Sequence, residues 1–243
     1  MKKILLIVLI TGVWPGLVKA QLYIGITAGP KWEQFGLQDA GQRLVEQQTL
    51  TTTRYGIEVW LVGGKNYQWS FGLQRYQFSS YPVDLRQANI VSEGNALISG
   101  NTLAGALLLP VGVKYDFWRP GRSSLFIHPS LGIGILPGQP VAGIAETGAL
   151  TDRDGNIIFS YEIREAYERS LFFLPKIGLG YERPFLNRGK LQIGLEYFVG
   201  TTDITRSGIF YRLPPDDFEA NAVATSRGTA FGLNFALLYP ITK

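Results

Sequence analysis

The chain has 243 residues, of which 46% are apolar and 17% charged, with 29 Gly, 13% aromatics and no Cys. A mean hydropathy of +0.07 excludes a bundle of membrane helices, and the missing Cys excludes a disulfide framework, a thiolate nucleophile and a zinc–thiolate site. The formal charge of +4 falls to +1 once Lys2, Lys3 and Lys19 are set aside, and no basic run remains to argue for nucleic acid.

Those three lysines sit in a segment with the grammar of an export signal. Lys2 and Lys3 form a positive start, Ile4 to Ile10 an apolar run, Pro15-Gly16 a break, and Val18-Lys19-Ala20 a small-residue cleavage site. Residues 1–20 are therefore expected to be a cleaved signal peptide. Gln21 follows the cut, so a lipoprotein signal does not fit. Residues 21–243 are expected to form a single domain.

The mature chain then alternates with period two, the signature of strands with one apolar face. Eight strands are predicted, at 22–36, 51–63, 67–81, 103–118, 123–137, 169–183, 189–203 and 227–240. The first is the least regular. In 190–198 Leu191, Ile193, Leu195 and Tyr197 face one way, Gln192, Gly194 and Glu196 the other. Pro110, Pro137 and Pro140, with Gly throughout, exclude helices from the two most apolar runs.

The connections alternate too. Segments 64–66, 119–122 and 184–188 are short, whereas 37–50, 82–102, 138–168 and 204–226 are long. That pattern predicts an all-β fold: an eight-stranded, antiparallel, up-and-down transmembrane β-barrel with short periplasmic turns and long extracellular loops. The face opposite the apolar one holds Glu58, Lys114, Asp116, Lys176, Glu182 and Glu196, expected to form a charge network in the lumen, because an unpaired buried charge is expensive. Trp60, Trp69, Phe117, Trp118, Tyr181 and Tyr239 fall at strand ends beside the short turns and are expected to form an aromatic girdle at the membrane interface. The competing arrangement is a soluble, lipocalin-like barrel with the apolar face turned inward.

The signal peptide, the strand spacing and the stretches Leu109-Pro110-Val111-Gly112-Val113-Lys114-Tyr115 and Ile177-Gly178-Leu179-Gly180-Tyr181-Glu182 resemble the small outer-membrane β-barrels of the OmpA/OmpX-like, porin-family type. The resemblance covers nearly all of the mature chain. It implies a location in the outer membrane of a Gram-negative cell, with outer-membrane lipids and the outer-membrane assembly machinery as partners. Such barrels usually end on an aromatic residue; here Tyr239 is followed by Pro240-Ile241-Thr242-Lys243. No periplasmic domain is expected to follow.

Chemistry is sparse, and no cofactor or metal is expected. His128 is the only His. With Ser130 it distantly resembles the His-x-Ser pair of outer-membrane lipid A deacylases, in which His would take the Ser proton. Parity puts both residues on the interior face, and no acid can be assigned to orient His128. Asp152-Arg153-Asp154-Gly155-Asn156 has the flavour of a calcium loop without its closing acid, and reads as a hairpin turn between runs 141–151 and 157–164, prolonging the strands on either side of it beyond the membrane. Pro214-Pro215-Asp216-Asp217 reads as a loop breaker. Three functions stay open: a non-enzymatic barrel with a structural role or a ligand at its extracellular loops, a narrow ion or small-solute channel through the charged lumen, and a lipid A-modifying hydrolase using His128 and Ser130.

Overall fold

The computed structural model describes residues 21–42, 44–46, 50–78, 82–84, 97–99, 104–136, 143–167, 170–186 and 188–241. The proposed signal peptide lies outside them. In chain order the strands are β1 (Leu22–Asp39), β2 (Val45–Glu46), β3 (Leu50–Val62), β4 (Tyr67–Phe78), β5 (Pro82–Asp84), β6 (Leu97–Ser99) and β7 (Ala104–Trp118). There follow β8 (Ser124–Ile135), β9 (Gly143–Thr151), β10 (Ile157–Tyr167), β11 (Leu171–Phe185), β12 (Gly189–Phe198), β13 (Thr205–Leu213) and β14 (Phe218–Pro240).

Eight of these close into an antiparallel barrel in the order β1-β3-β4-β7-β8-β11-β12-β14, with β14 pairing back onto β1. Closure leaves no barrel edge, so backbone donors and acceptors are satisfied within the protein. All eight predicted strands are present. Ile241 N–H donates to Leu22 O at 2.8 Å and Val62 N–H to Gln21 O at 3.0 Å. Both ends of the barrel chain therefore meet at the rim that carries the short turns.

The alternation read from the sequence is the alternation of faces. Leu179 and Leu195 are 55% and 60% exposed, and Ile26, Ile57, Phe71 and Phe235 are exposed with them. The polar residues between them point inward. A soluble monomer rarely shows a contiguous apolar patch above roughly a few hundred Å². This band circles the whole barrel, which rules out the inward-apolar, lipocalin-like arrangement and makes the outer face a lipid-facing surface.

The sheet also continues past the barrel at the long-loop rim. There β14 exchanges neighbours: residues 230–238 pair with β12, whereas residues 218–226 pair with β13. Gly228 stands at the junction with φ 75°, a left-handed conformation that glycine adopts at little cost. β13 pairs with β10 and β10 with β9. The hairpin around Asp152 forms as the sequence suggests, but it builds onto β13 and not onto the barrel strands β8 and β11 that flank it. Segment 204–226, read as a loop, is instead a hairpin. Its Pro214–Asp216 3₁₀ turn and left-handed Asp217 reverse the chain between β13 and β14. Separately, β2, β5 and β6 make a small antiparallel sheet.

Candidate functional site: the lumen and the sheet above it

The lumen is packed in layers. Nearest the short turns, Tyr23, Trp60, Ala236 and Leu238 form a buried apolar cluster. Beside it Lys114 lies 2.5 Å from Glu182 and 3.2 Å from Asp116. Lys190 adds a 2.9 Å contact to Glu182 with its ammonium 4.5 Å from the centre of the Tyr23 ring, and Arg119 reaches Asp116 at 2.5 Å.

At mid-height Glu196 joins two cations, Lys176 at 2.6 Å and Arg54. Glu58 accepts from Gln74 Nε2 at 2.7 Å and from Trp60 Nε1 at 3.1 Å. Above them Lys31 pairs with Glu33 at 3.0 Å and sits 4.0 Å from the centre of the Tyr76 ring, while Ser226 donates to Glu33. Among the described residues five cations (Lys31, Arg54, Lys114, Lys176, Lys190) thus face five acids (Glu33, Glu58, Asp116, Glu182, Glu196).

The long-loop end of the lumen is apolar. Tyr76, Phe78, Leu108, Phe172, Leu174 and Phe198 belong to one buried cluster. Its rings pack edge to face or tilted, with Tyr76–Phe78 at 4.9 Å, Tyr76–Phe198 at 5.4 Å and Phe78–Phe172 at 5.5 Å. Eight strands leave an interior that side chains can fill, and here an ionic layer and an aromatic layer fill it in series.

All six charges picked out in the sequence are buried inside the barrel, and all but Glu58 are in ion pairs. Arg54, Lys31 and Glu33 were missed. Arg54 shares strand and parity with Glu58, which was signal enough to find it. Of the aromatics, Trp69, Phe117, Trp118, Tyr181 and Tyr239 lie on the outer surface. Trp60 is a correction: it is 1% exposed and points into the lumen. It has the parity of Glu58, to which its indole donates, and parity decides its face where closeness to the rim does not. At the opposite rim Trp32, Tyr55 and Phe231 stand outward as well, and Tyr197 packs on Phe231 at 4.7 Å.

The hydrolase pair is not assembled. His128 Nε2 lies 2.8 Å from Ser70 Oγ, with the Trp60 ring 4.9 Å away. Ser130 Oγ has no hydrogen-bond partner among the described residues. No carboxylate there hydrogen-bonds His128, and the pair faces the lumen and not lipid. The hydrolase reading has no support.

Above the barrel, the extension has its own core of Phe159, Ile163, Ile209, Tyr211, Leu213 and Ala222, closed over by Leu44. Asp39 ties it down: its carboxylate accepts from Gly41 N–H at 2.9 Å, Leu44 N–H at 2.7 Å and Tyr211 Oη at 2.8 Å. At the hairpin tip Asp152 accepts from the Asn156 side chain at 3.0 Å and from the Asn156 and Asp154 N–H groups at 2.8 and 2.9 Å. These bonds, the Asn156 side chain first, hold its pKa below the ordinary carboxylate value.

Fold and lumen together define a class: a small transmembrane β-barrel with a filled interior and a structured sheet at its long-loop end. No protein-family model matches the chain, and no curated protein matches it. Among solved structures it is similar to the outer membrane protein OprG from Pseudomonas aeruginosa, with 11% identity over 91% of this chain and 97% of that one, at a TM-score of 0.44. It is also similar to a major outer membrane protein from Thermus thermophilus (10% identity, 92% of this chain and 100% of that one, TM-score 0.42). A third is the outer membrane protein AlkL (11% identity, 92% and 91%, TM-score 0.41).

Proposed function

We propose that this protein is a non-enzymatic, non-conducting barrel of the outer membrane that holds a rigid β-sheet outside the cell as a binding surface. One observation carries the reading. Paired ions and then packed aromatic rings occupy the lumen, and the same sheet runs on beyond the lipid-facing band around a core of its own. Binding sites favour loops and extensions on rigid scaffolds. The exposed face of β10 and β13 mixes Phe210, with the Arg164 guanidinium 5.1 Å from its ring, and Arg212 paired to Glu219 at 3.1 Å. An aromatic and arginines among matched acids suit a protein or glycan partner better than a simple anion.

The test uses the absence of native Cys. Asn156→Cys at the hairpin tip should react with a membrane-impermeant maleimide on intact cells. Lys65→Cys in a short turn should react only after the outer membrane is opened. The reverse pattern would invert the proposed topology. Steady channel events from the pure, folded protein in planar bilayers would replace the binding reading with the channel one.

A further inference from the structure

The exposed charge around the short-turn rim is of one sign. Lys65, Arg119, Arg122, Arg183 and Arg188 lie in or beside the three short turns, and the turns themselves contain no acid. Arg122, Arg183 and Arg188 are exposed, and none of them has an ion-pair partner among the described residues. At the opposite end of the molecule exposed arginines do have acidic partners, Arg212 with Glu219 and Arg227 with Asp203.

Next to the Arg183–Arg188 turn the outer wall has an apolar crevice of ≈ 350 Å³. Ile24, Ile57 and Leu237 line it from the barrel strands, and Phe185 and Leu186 from the turn. Two features shape this end of the wall. Gly189 lets the backbones approach closely, since a Cβ there would lie 2.9 Å from Phe185 O and 3.1 Å from Leu238 O. Leu186 is held at φ 51° and stands 82% exposed at the tip of the turn. A leucine displayed this way is costly in water and favourable in hydrocarbon.

We infer that the β11–β12 turn is a binding site for an anionic phospholipid, with an acyl chain in the crevice beside Leu186 and the phosphate on Arg183 and Arg188. Charge complementarity selects the headgroup. Basic residues at a membrane surface attract anionic lipid, and arginine's planar fork matches phosphate oxygens. The crevice selects a lipid over a soluble anion, because its lining is apolar. The inference rests on the barrel being embedded in a membrane and not on what the sheet above it binds.

The experiment is native mass spectrometry of the folded full chain released from detergent with equal amounts of dioleoyl-phosphatidylglycerol and dioleoyl-phosphatidylethanolamine. Each sample is checked for the heat-dependent gel shift of a closed barrel, so a failed barrel is distinguished from a failed lipid site. Phosphatidylglycerol adducts should dominate on the order of tenfold. The double variant R183Q/R188Q should bring the two lipids to parity with the gel shift intact. Leu186→Ser should lower occupancy by both lipids and keep the preference, and K65Q/R122Q should leave the preference unchanged. Equal adducts in the parent protein would overturn the inference. So would an unchanged preference in R183Q/R188Q, its loss in K65Q/R122Q, or displacement of the lipid by millimolar inorganic phosphate.

Discussion

Arg54 on β3 and Glu196 on β12 meet across the lumen, with two strands of wall between them on the shorter way round. Glu196 also holds Lys176 at 2.6 Å, so one carboxylate carries two buried cations. Removing it strands both. Glu196→Ala should cost about 3–5 kcal/mol, the usual penalty for breaking a buried pair from one side. The R54A/E196A double variant, which removes the strut from both ends, should cost less than the sum of the two single variants. Urea unfolding of the refolded barrel in micelles, followed by the gel shift, measures both.

Tyr211 Oη donates to Asp39 at 2.8 Å and fastens the extension to the end of β1. The acceptor is charged and the site half-buried, so Tyr211→Phe should loosen the extension by about 1–2 kcal/mol. The effect should be local. Limited proteolysis of residues 143–167 should quicken, while the temperature of the gel shift stays where it was. A matching drop in barrel stability would mean that barrel and extension unfold together.

Much of this fold was legible because lipid outside and polar lumen inside impose the same period of two on every barrel strand. The parity of Glu58, Lys114 and Glu196 was enough to put them inside. What parity could not give was partner choice. Nothing local in 204–213 says that it pairs with 157–167, because that contact joins distant parts of the chain. Lys31 and Glu33 were lost for a different reason: they lie in β1, whose alternation is diluted by Gly25, Gly29 and Pro30. Trp60 shows that two sequence signals can conflict. It sits at a rim, as a girdle residue should, but on the inner parity, and the inner parity holds.

The filled lumen predicts electrical silence. The parent protein should give no channel events in planar bilayers. The F78A/F172A variant should stay silent too, because the ionic layer beneath still fills the lumen. Adding R54A/E196A to that background removes the cross-lumen strut, and small, steady events should then appear from folded protein. Conductance in F78A/F172A alone would show that the aromatic layer is the whole seal.

Asp152 supplies a pH dependence outside the membrane. Its folded pKa is depressed below the ordinary Asp value, the Asn156 side chain being the largest cause. The sign follows from linkage: a depressed carboxylate contributes stability that is fully present above its unfolded pKa and is lost as pH falls through the folded one. The hairpin tip should therefore hold unchanged at neutral pH and down to about pH 5, and loosen only below the ordinary carboxylate range. Hydrogen exchange at the Asn156 and Asp154 amides, which donate to Asp152, reads this directly. Asp152→Ala should expose both amides at every pH and flatten the profile. A midpoint above the ordinary carboxylate value, or a profile that survives Asp152→Ala, would assign the titration to another group.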